Sequence, residues 1–444
     1  MGKYFGTDGF RGEANVTLTV DHAFRIGQFL GSRCTEERKA RIVIGKDTRL
    51  SSYMLEYALV AGLTSVGADA YLLHVTTTPS VSYVVRSEGF DAGIMISASH
   101  NPYTDNGIKL INRHGEKMGD EMTDKIESFL DSNDHIPLAR GDEIGRTVDY
   151  VIGRNRYTGY IISLARHSYK GWRVGLDGAN GSAWMLAKSI FDALGAKTYV
   201  IGNEPSGTNI NLDCGSTHID ALCDLVKRES LDVGFAFDGD ADRCLAVDER
   251  GKVITGEGIL YAAAKYLWAG GDLTNNTVVT TVMSNLGLKD ALKREGIGCI
   301  QTDVGDRFVW EVMRKGGYSL GGEESGHIIL SKYATTGDGL ITAIKMMEIL
   351  IESKLPASRL CDGLDMYPQL TKSVRVKDKE RAIQDEEVQK AYNEAQKTLH
   401  GVGRILLRPS GTEPVVRVMA EHPDESVCRT AIDIISAAIN RSGK

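Results

Sequence analysis

The chain has 444 residues, 42% of them hydrophobic and 25% charged, with 49 glycines and only 9 prolines. That composition excludes a disordered chain or a disulfide-stapled miniprotein, and the length suits roughly two to four domains with their own cores. A net charge of −7 argues against a nucleic-acid partner, although an acidic protein still takes anionic ligands where its arginines gather in one cleft.

Along the chain, short apolar runs alternate with amphipathic helical patterns. Thr7-Asp-Gly-Phe-Arg11-Gly12 places an arginine on a Gly-bounded turn, and Thr19 caps a helix whose inner face is Ala23, Ile26 and Leu30. Arg41–Gly45, Gly93–Ser97, Arg173–Asp177, Val233–Phe237 and Val278–Val282 read as buried strands. Polar loops follow most of them: Gly45–Arg49, Ser97–Pro102, Asp177–Gly181 and Asp238–Arg243. Ser182 is expected to cap a helix through Leu186, Ile190 and Leu194 that Gly195 stops, and Gly339–Ile351 is a further helix. This strand, polar loop, helix rhythm predicts mainly parallel mixed sheets with ligands at the strands' carboxyl ends. Beyond about residue 365 the texture changes. A strand at Leu370–Val376, a charged helix over 378–399, strands at Arg404–Leu407 and Val415–Met419 and a helix at Glu425–Ile439 make a small α+β domain.

The seven cysteines (Cys34, Cys214, Cys223, Cys244, Cys299, Cys361, Cys428) are scattered, form no Cys-x-x-Cys pair and read as reduced thiols. No apolar stretch of signal length opens the chain, and no run of about 18 apolar residues occurs. A cytoplasmic protein without a membrane span is expected.

The clearest chemical signal is Asp238-Gly-Asp240-Ala-Asp242-Arg243. Carboxylates at alternate positions on an extended backbone share one side, and three hard oxygen donors there suit Mg2+. A helix-loop-helix calcium site is disfavoured because its sixth position, which needs Gly, is Arg243, and a strand precedes the loop. Ser97-Ala-Ser99-His-Asn-Pro102 presents a hydroxyl on a turn, a candidate nucleophile that Lys109 follows closely. Gly321-Gly-Glu323-Glu-Ser325-Gly-His327 gathers acceptors and donors of the kind that bind sugar hydroxyls. Arg408-Pro-Ser410-Gly411-Thr412-Glu-Pro, with Arg417 beyond, reads as an anion cradle and lacks the Gly-Lys-Ser/Thr of a Walker loop.

In this order the four loops resemble those of the α-D-phosphohexomutase superfamily, over residues 7–421. Within it, Phe5–Gly12, Ile96–Pro102, Asn209-Ile-Asn211, Cys214–His218 and Thr302-Asp-Val-Gly-Asp-Arg307 are similar to the bacterial phosphoglucosamine mutases. The resemblance implies three related α/β domains with mixed sheets plus a small α+β C-terminal domain around a central cleft. Their expected bounds are 1–152 (phosphoserine loop), 153–254 (metal loop), 255–366 (sugar loop) and 367–444 (phosphate loop). It implies interconversion of glucosamine 6-phosphate and glucosamine 1-phosphate through a phosphorylated Ser99 and a 1,6-bisphosphate intermediate, supplying amino-sugar nucleotide precursors of the cell wall. Ser99, Lys109, His327 and Arg11 would be catalytic. Glu323, Ser325, Thr302, Arg408, Ser410, Gly411, Thr412, Arg417 and Arg243 would bind substrate. One Mg2+ would sit on Ser99, Asp238, Asp240 and Asp242, with a hexose 1,6-bisphosphate as activator and a homodimer as the assembly. The sugar loop carries Glu324 where that family usually has Gln, which keeps glucose or mannose phosphates as the alternative substrates. A non-catalytic phosphosugar-binding protein is disfavoured, because Ser99 and all three aspartates are present.

Overall fold

The structure, a computed structural model, describes residues 2–33, 39–410 and 414–442. They form two compact units: Met1–Met283 with Ile297–Asp362, and Ser284–Gly296 with Gly363–Lys444.

The first unit holds three mixed sheets. The largest runs in the order Phe5–Gly6, Gly9–Glu13, Asp105–Asn112, Ala92–Ile96, Arg41–Lys46, Asp69–Val75, Thr147–Asp149. Its last four strands are parallel and its first four pair antiparallel. Alternation along the parallel strands explains their unbroken apolar runs. Ile42, Ile44, Ile94 and Ile96 face one core with Ile26, Leu30 and Leu59, while Val43 and Met95 face another with Val81 and Val85. A strand between two helical layers must be apolar on both faces. The second sheet has the order Val253–Ile254, Cys244–Asp248, Val233–Phe237, Arg173–Asp177, Lys197–Ile201, and the third Gly298–Thr302, Thr277–Thr281, Leu320–Gly322, Ile328–Leu330.

All three sheets share one device that the sequence rhythm misses. The Ser99 loop, the Asp238–Arg243 loop and the Glu323–His327 loop each leave a strand and return along an antiparallel neighbour, not into a helix. Only the Gly45–Arg49 loop among these runs straight into a helix, Leu50–Ser65. Each site loop is therefore a hairpin tip anchored at both ends by ladder hydrogen bonds.

Three local expectations also change. Arg11 lies on the strand Gly9–Glu13, paired with Gly107, rather than on a turn. The helix after Ser182 starts only at Leu186: the Ser182 hydroxyl is buried without a hydrogen-bond partner and so caps nothing, while its N–H donates to Gly239 O (2.8 Å) in the metal loop. The charged segment 378–399 is two helices, Lys379–Gln384 and Glu386–Thr398, broken at Asp385, whose carboxylate accepts from Glu387 N and Val388 N as an N-cap.

In the second unit, Gln369–Arg375, Val415–Glu421 and Arg404–Pro409 form an antiparallel sheet. Its core joins Val374, Ile405, Val416 and Val418 to Val388, Ala391 and Ala395 and to Cys428, Ile432 and Ile435 of Glu425–Ser442. The helix Leu286–Arg294, inside the segment 255–366, belongs to this unit. Glu421 accepts from Leu286 N (2.6 Å) and Asn285 Nδ2 donates to Tyr367 O (2.9 Å). The described cysteines are free thiols; Cys34 lies outside the described residues. No described helix is long and apolar enough to cross a membrane.

Candidate active site

Ser99 sits at its hairpin tip with φ +51°, a left-handed conformation that non-glycine residues adopt only when neighbours hold them there. Its side chain is fully buried, and Oγ donates to Asp238 Oδ2 from the second sheet. The two loops touch because residue 239 is glycine. A Cβ there would lie 2.4 Å from Ser99 O.

Asp238, Asp240 and Asp242 converge, each offering an oxygen within 4.8 Å of the others. They do so by a turn, not by the extended alternation expected from sequence. Ala241 has φ +56° and its N–H returns to Asp238 O (3.0 Å). Extended alternation would space successive carboxylates about 6.6 Å apart, too far for one ion. Asp240 Oδ1 and Asp242 Oδ1 are buried without a hydrogen-bond partner. Orphaned, convergent carboxylate oxygens fit a divalent cation.

Lys109, buried on the strand Asp105–Asn112, lies 2.7 Å from Asp240 Oδ2 and 3.3 Å from both Asp242 Oδ2 and Asp8 Oδ2. Burial alone would lower its pKa, but the three carboxylates outweigh that and raise it. Burial raises Asp238, and the charges of Asp242 and Asp240 add to it. Asp242 goes the other way: Lys109, His327 and Arg243 overcome burial and hold it well below the ordinary carboxylate range. Arg243 N–H donates to Asp238 Oδ1 (3.2 Å) while its Nε, 3.9 Å from Asp242 Oδ1, is buried without a hydrogen-bond partner.

His327 is buried, with Nδ1 3.7 Å from Asp242 and Nε2 3.2 Å from Asp306. Gly337 N–H donates to Nε2 (2.9 Å), which places the neutral ring's proton on Nδ1. Protonation at Nε2 gives up that bond and turns the atom to Asp306. Burial opposes the charge, but Asp306 and then Asp242 raise the pKa to about 9. Glu323, whose carboxyl burial pushes up, accepts from Gly305 N (3.2 Å). Ser325 Oγ is buried and unpartnered, and Thr302 donates its hydroxyl to Asp303 O. Arg11 reaches this network through Asp8.

The structure therefore brings Ser99, Lys109, Arg243, His327 and the three aspartates together, with Arg11 at one remove. Arg408 and Arg417, in the second unit, are directly opposite each other on its antiparallel ladder. Ser410 N–H donates to Val415 O (3.0 Å), and Gly411 and Thr412 lie outside the described residues. Several contributors escaped the sequence reading. Thr78 donates to Asp240 Oδ2 and, through its N–H, to Asp240 O. Lys117 bridges Asp8 and Asp306. Asp306 lay inside the Thr302–Arg307 motif; nothing local marks Thr78 or Lys117.

The chain matches the four successive family descriptions of phosphoglucomutase/phosphomannomutase: alpha/beta/alpha domain I over residues 2–136, domain II over 155–251, domain III over 255–367 and the C-terminal domain over 372–435. It is 61% identical to a phosphoglucosamine mutase of Lachnospira eligens, covering 100% of this chain and 99% of the relative. It is 58% identical to that of Lachnoclostridium phytofermentans, with the same coverage. Among solved structures it superposes on a phosphoglucomutase/phosphomannomutase family protein of Burkholderia thailandensis with TM-score 0.81 at 23% identity, covering 100% and 98% of the two chains. Aspergillus fumigatus N-acetylphosphoglucosamine mutase in complex with GlcNAc-6P and magnesium gives TM-score 0.70 at 15% identity, covering 99% and 96%. At these identities the structures speak to the fold.

Proposed function

The chain belongs to the phosphoglucomutase/phosphomannomutase family, as an isomerase similar throughout to phosphoglucosamine mutases, and we propose that it interconverts glucosamine 6-phosphate and glucosamine 1-phosphate through phospho-Ser99. The observation that carries this reading is the buried Ser99 Oγ on Asp238, beside two carboxylate oxygens with no hydrogen-bond partner.

Asp238, Asp240, Asp242 and an oxygen of phospho-Ser99 would hold one Mg2+, which when bound neutralises charge developing on the transferring phosphoryl group. In the forward direction the sugar's C1 hydroxyl attacks the phosphorus. A new P–O bond forms to the sugar, the bond to Ser99 Oγ breaks, and the hydroxyl proton passes to a protein base. The resulting 1,6-bisphosphate turns over and returns its 6-phosphate to Ser99. Lys109 and His327 carry the protons, His327 having a bonded neutral state and a carboxylate-stabilised charged state within one pocket. Arg11 and Arg243 add fixed positive charge. Ser325, with its unpartnered hydroxyl, and Glu323 hold sugar hydroxyls, and Thr302 lines the same loop region. Arg408, Ser410, Gly411, Thr412 and Arg417 take the phosphate that is not being transferred. Two guanidinium groups directly opposite on a ladder can grip one phosphate together through charge-assisted hydrogen bonds.

The preference for the amino sugar is supported by Glu324, an exposed carboxylate on the sugar loop that favours a C2 ammonium over a hydroxyl. Comparison of kcat/KM for glucosamine, glucose and mannose 6-phosphates separates these substrates. Four domains with the bounds 1–152, 153–254, 255–366 and 367–444, a cytoplasmic location, a hexose 1,6-bisphosphate activator and no nucleic-acid or membrane partner complete the reading. A homodimer is supported by the exposed apolar stripe Leu50, Tyr53 and Tyr57 on one helix face, and sedimentation tests it. The decisive experiment is Ser99→Ala. It abolishes interconversion and the 80-dalton phosphate increment of the intact protein (about 80 Da for one phosphoryl group), whereas near-wild-type turnover by this variant refutes the proposal.

A further inference from the structure

The Gly45–Arg49 loop follows a buried strand, as the site loops do, yet supplies none of the groups so far given a role. Its Arg49 is completely buried, which for an arginine demands a full set of partners. It has them. Nε donates to Asp47 Oδ2 (2.8 Å), Nη1 to Pro102 O and Asp105 O (3.0 Å), and Nη2 to Ser99 O and Asn101 O (both 2.9 Å). A guanidinium has five N–H donors, and all five are used, four of them on backbone carbonyls of the serine hairpin.

Asp47 is equally complete. It accepts Arg49 N–H (3.0 Å) and Ser52 Oγ (2.7 Å) on Oδ1, and Arg49 Nε and Ser97 Oγ (2.7 Å) on Oδ2. Ser97 Oγ in turn accepts the N–H of Ser99 (3.0 Å). From the second sheet's side of the site comes Asn211, itself left-handed at φ +59° and anchored by its N–H to Ala179 O (2.9 Å). Both donors of its side-chain amide go to the same two carbonyls, Ser99 O (2.9 Å) and Asn101 O (3.1 Å). Each of those carbonyls thus receives one N–H from Arg49 and one from Asn211, filling both lone pairs.

We propose that Arg49 and Asn211 are positioning residues for phosphoryl transfer. They grip the carbonyls of Ser99 and Asn101 from two sides, and so hold Ser99 in its left-handed conformation with Oγ aimed at the aspartate trio. The inference rests on the reading that Ser99 carries the phosphoryl group. A serine free to leave the left-handed region swings Oγ away from the in-line position, and a misplacement of about 1 Å costs about 100-fold in rate. The side-chain donors of both residues are already spent on Asp47 and the hairpin carbonyls, so the effect falls on the chemical step and not on substrate affinity.

The test compares wild type with Asn211→Ala, Asn211→Asp and Arg49→Lys in the full-length protein. Readouts are kcat and KM for glucosamine 1-phosphate, the melting temperature, and the occupancy and hydrolytic half-life of phospho-Ser99 by intact mass. Asn211→Ala is expected to lower kcat about 10- to 100-fold, with KM within about threefold of wild type and a shortened phosphoserine half-life. Asn211→Asp has the same shape but turns an acceptor towards two carbonyls, and is expected to fall further than the alanine variant. Arg49→Lys offers three donors for five acceptors and is expected to be worse still; should it fail to fold, the Asn211 pair decides. Folded Asn211 variants with kcat within about twofold of wild type and normal phosphoserine, or with raised KM and unchanged kcat, overturn the inference. If instead wild type carries no phosphate on Ser99 and Ser99→Ala still turns over, the underlying phosphoserine reading has failed.

Discussion

The serine and aspartate loops of the first unit and the arginine hairpin of the second hold their polar and charged side chains in opposite ways. In the first, Ser99, Asp238, Asp240, Arg49 and Lys109 are buried, and their positions are fixed by hydrogen bonds to one another and to backbone. In the second, Arg408 and Arg417 are half-buried on an antiparallel ladder, two like charges in register. Dry, over-determined charge suits a group that must be preorganised before the reaction. Half-exposed guanidinium groups suit a site that grips an incoming phosphate by charge-assisted hydrogen bonds. Under the proposed function, the difference assigns transfer to hairpin tips on α/β sheets and phosphate capture to a two-stranded ladder.

The division breaks or sharpens under four changes. The largest effect is expected from the cation. Chelation with EDTA, or Asp240→Asn, should lower kcat by roughly 1000-fold, and added Mg2+ should raise the melting temperature of wild type but not of the variant; equal thermal shifts in both proteins would remove the cation from this trio. Next comes Lys109→Met, which leaves Asp240 and Asp242 buried without their ammonium. Metal-free protein should lose about 3–5 kcal/mol of unfolding free energy, the penalty for breaking a buried ion pair. Mg2+ at 100 times its Kd should restore about 2.7 kcal/mol. Urea titrations with and without the ion measure both, and an unchanged midpoint would show that the ammonium holds nothing together.

A smaller and different effect is expected on the other side of the comparison. Arg417→Ala should raise KM for either phosphosugar by roughly 10- to 100-fold with kcat within about threefold, since it removes a charge-assisted grip that ground and transition states share. A drop in kcat at constant KM would erase the distinction between the two regions. The smallest effect belongs to Glu324→Gln. Because the carboxylate is exposed, losing its attraction for a C2 ammonium should lower the glucosamine-to-glucose ratio of kcat/KM only about two- to fivefold. A ratio that rises, or does not move, would assign the sugar preference elsewhere on the loop.

Much of the fold was legible because strand interiors announce themselves. Arg41–Gly45 and Gly93–Ser97 are apolar on both faces since helices cover both faces of their sheet. The site loops were legible because chemistry-bearing residues cluster in them at short spacing. What misled was the local path. Ser182 has a good capping side chain, but its segment is held to Gly239 with the hydroxyl making no capping bond, and the helix starts later. The aspartates keep their alternate spacing but meet only because Ala241 turns left-handed. Asp385 interrupts a segment whose composition reads as one helix. In each case a contact or a positive φ overrides propensity.

The sequence by itself determined the layering of the parallel strands, the candidate site loops and the residue types they carry, because apolar alternation and clustered polar groups are properties of neighbouring positions. Only the tertiary structure decided that the three loops are hairpin tips, that Lys109 closes on Asp240 and Asp242, and that Arg49 and Asn211 hold the same two carbonyls from opposite sides. The physical reason is that buried donors and acceptors must all be matched, and the partners that match them here lie 131 residues apart for Lys109 with Asp240 and 112 for Asn211 with Ser99. No local spacing encodes such pairs.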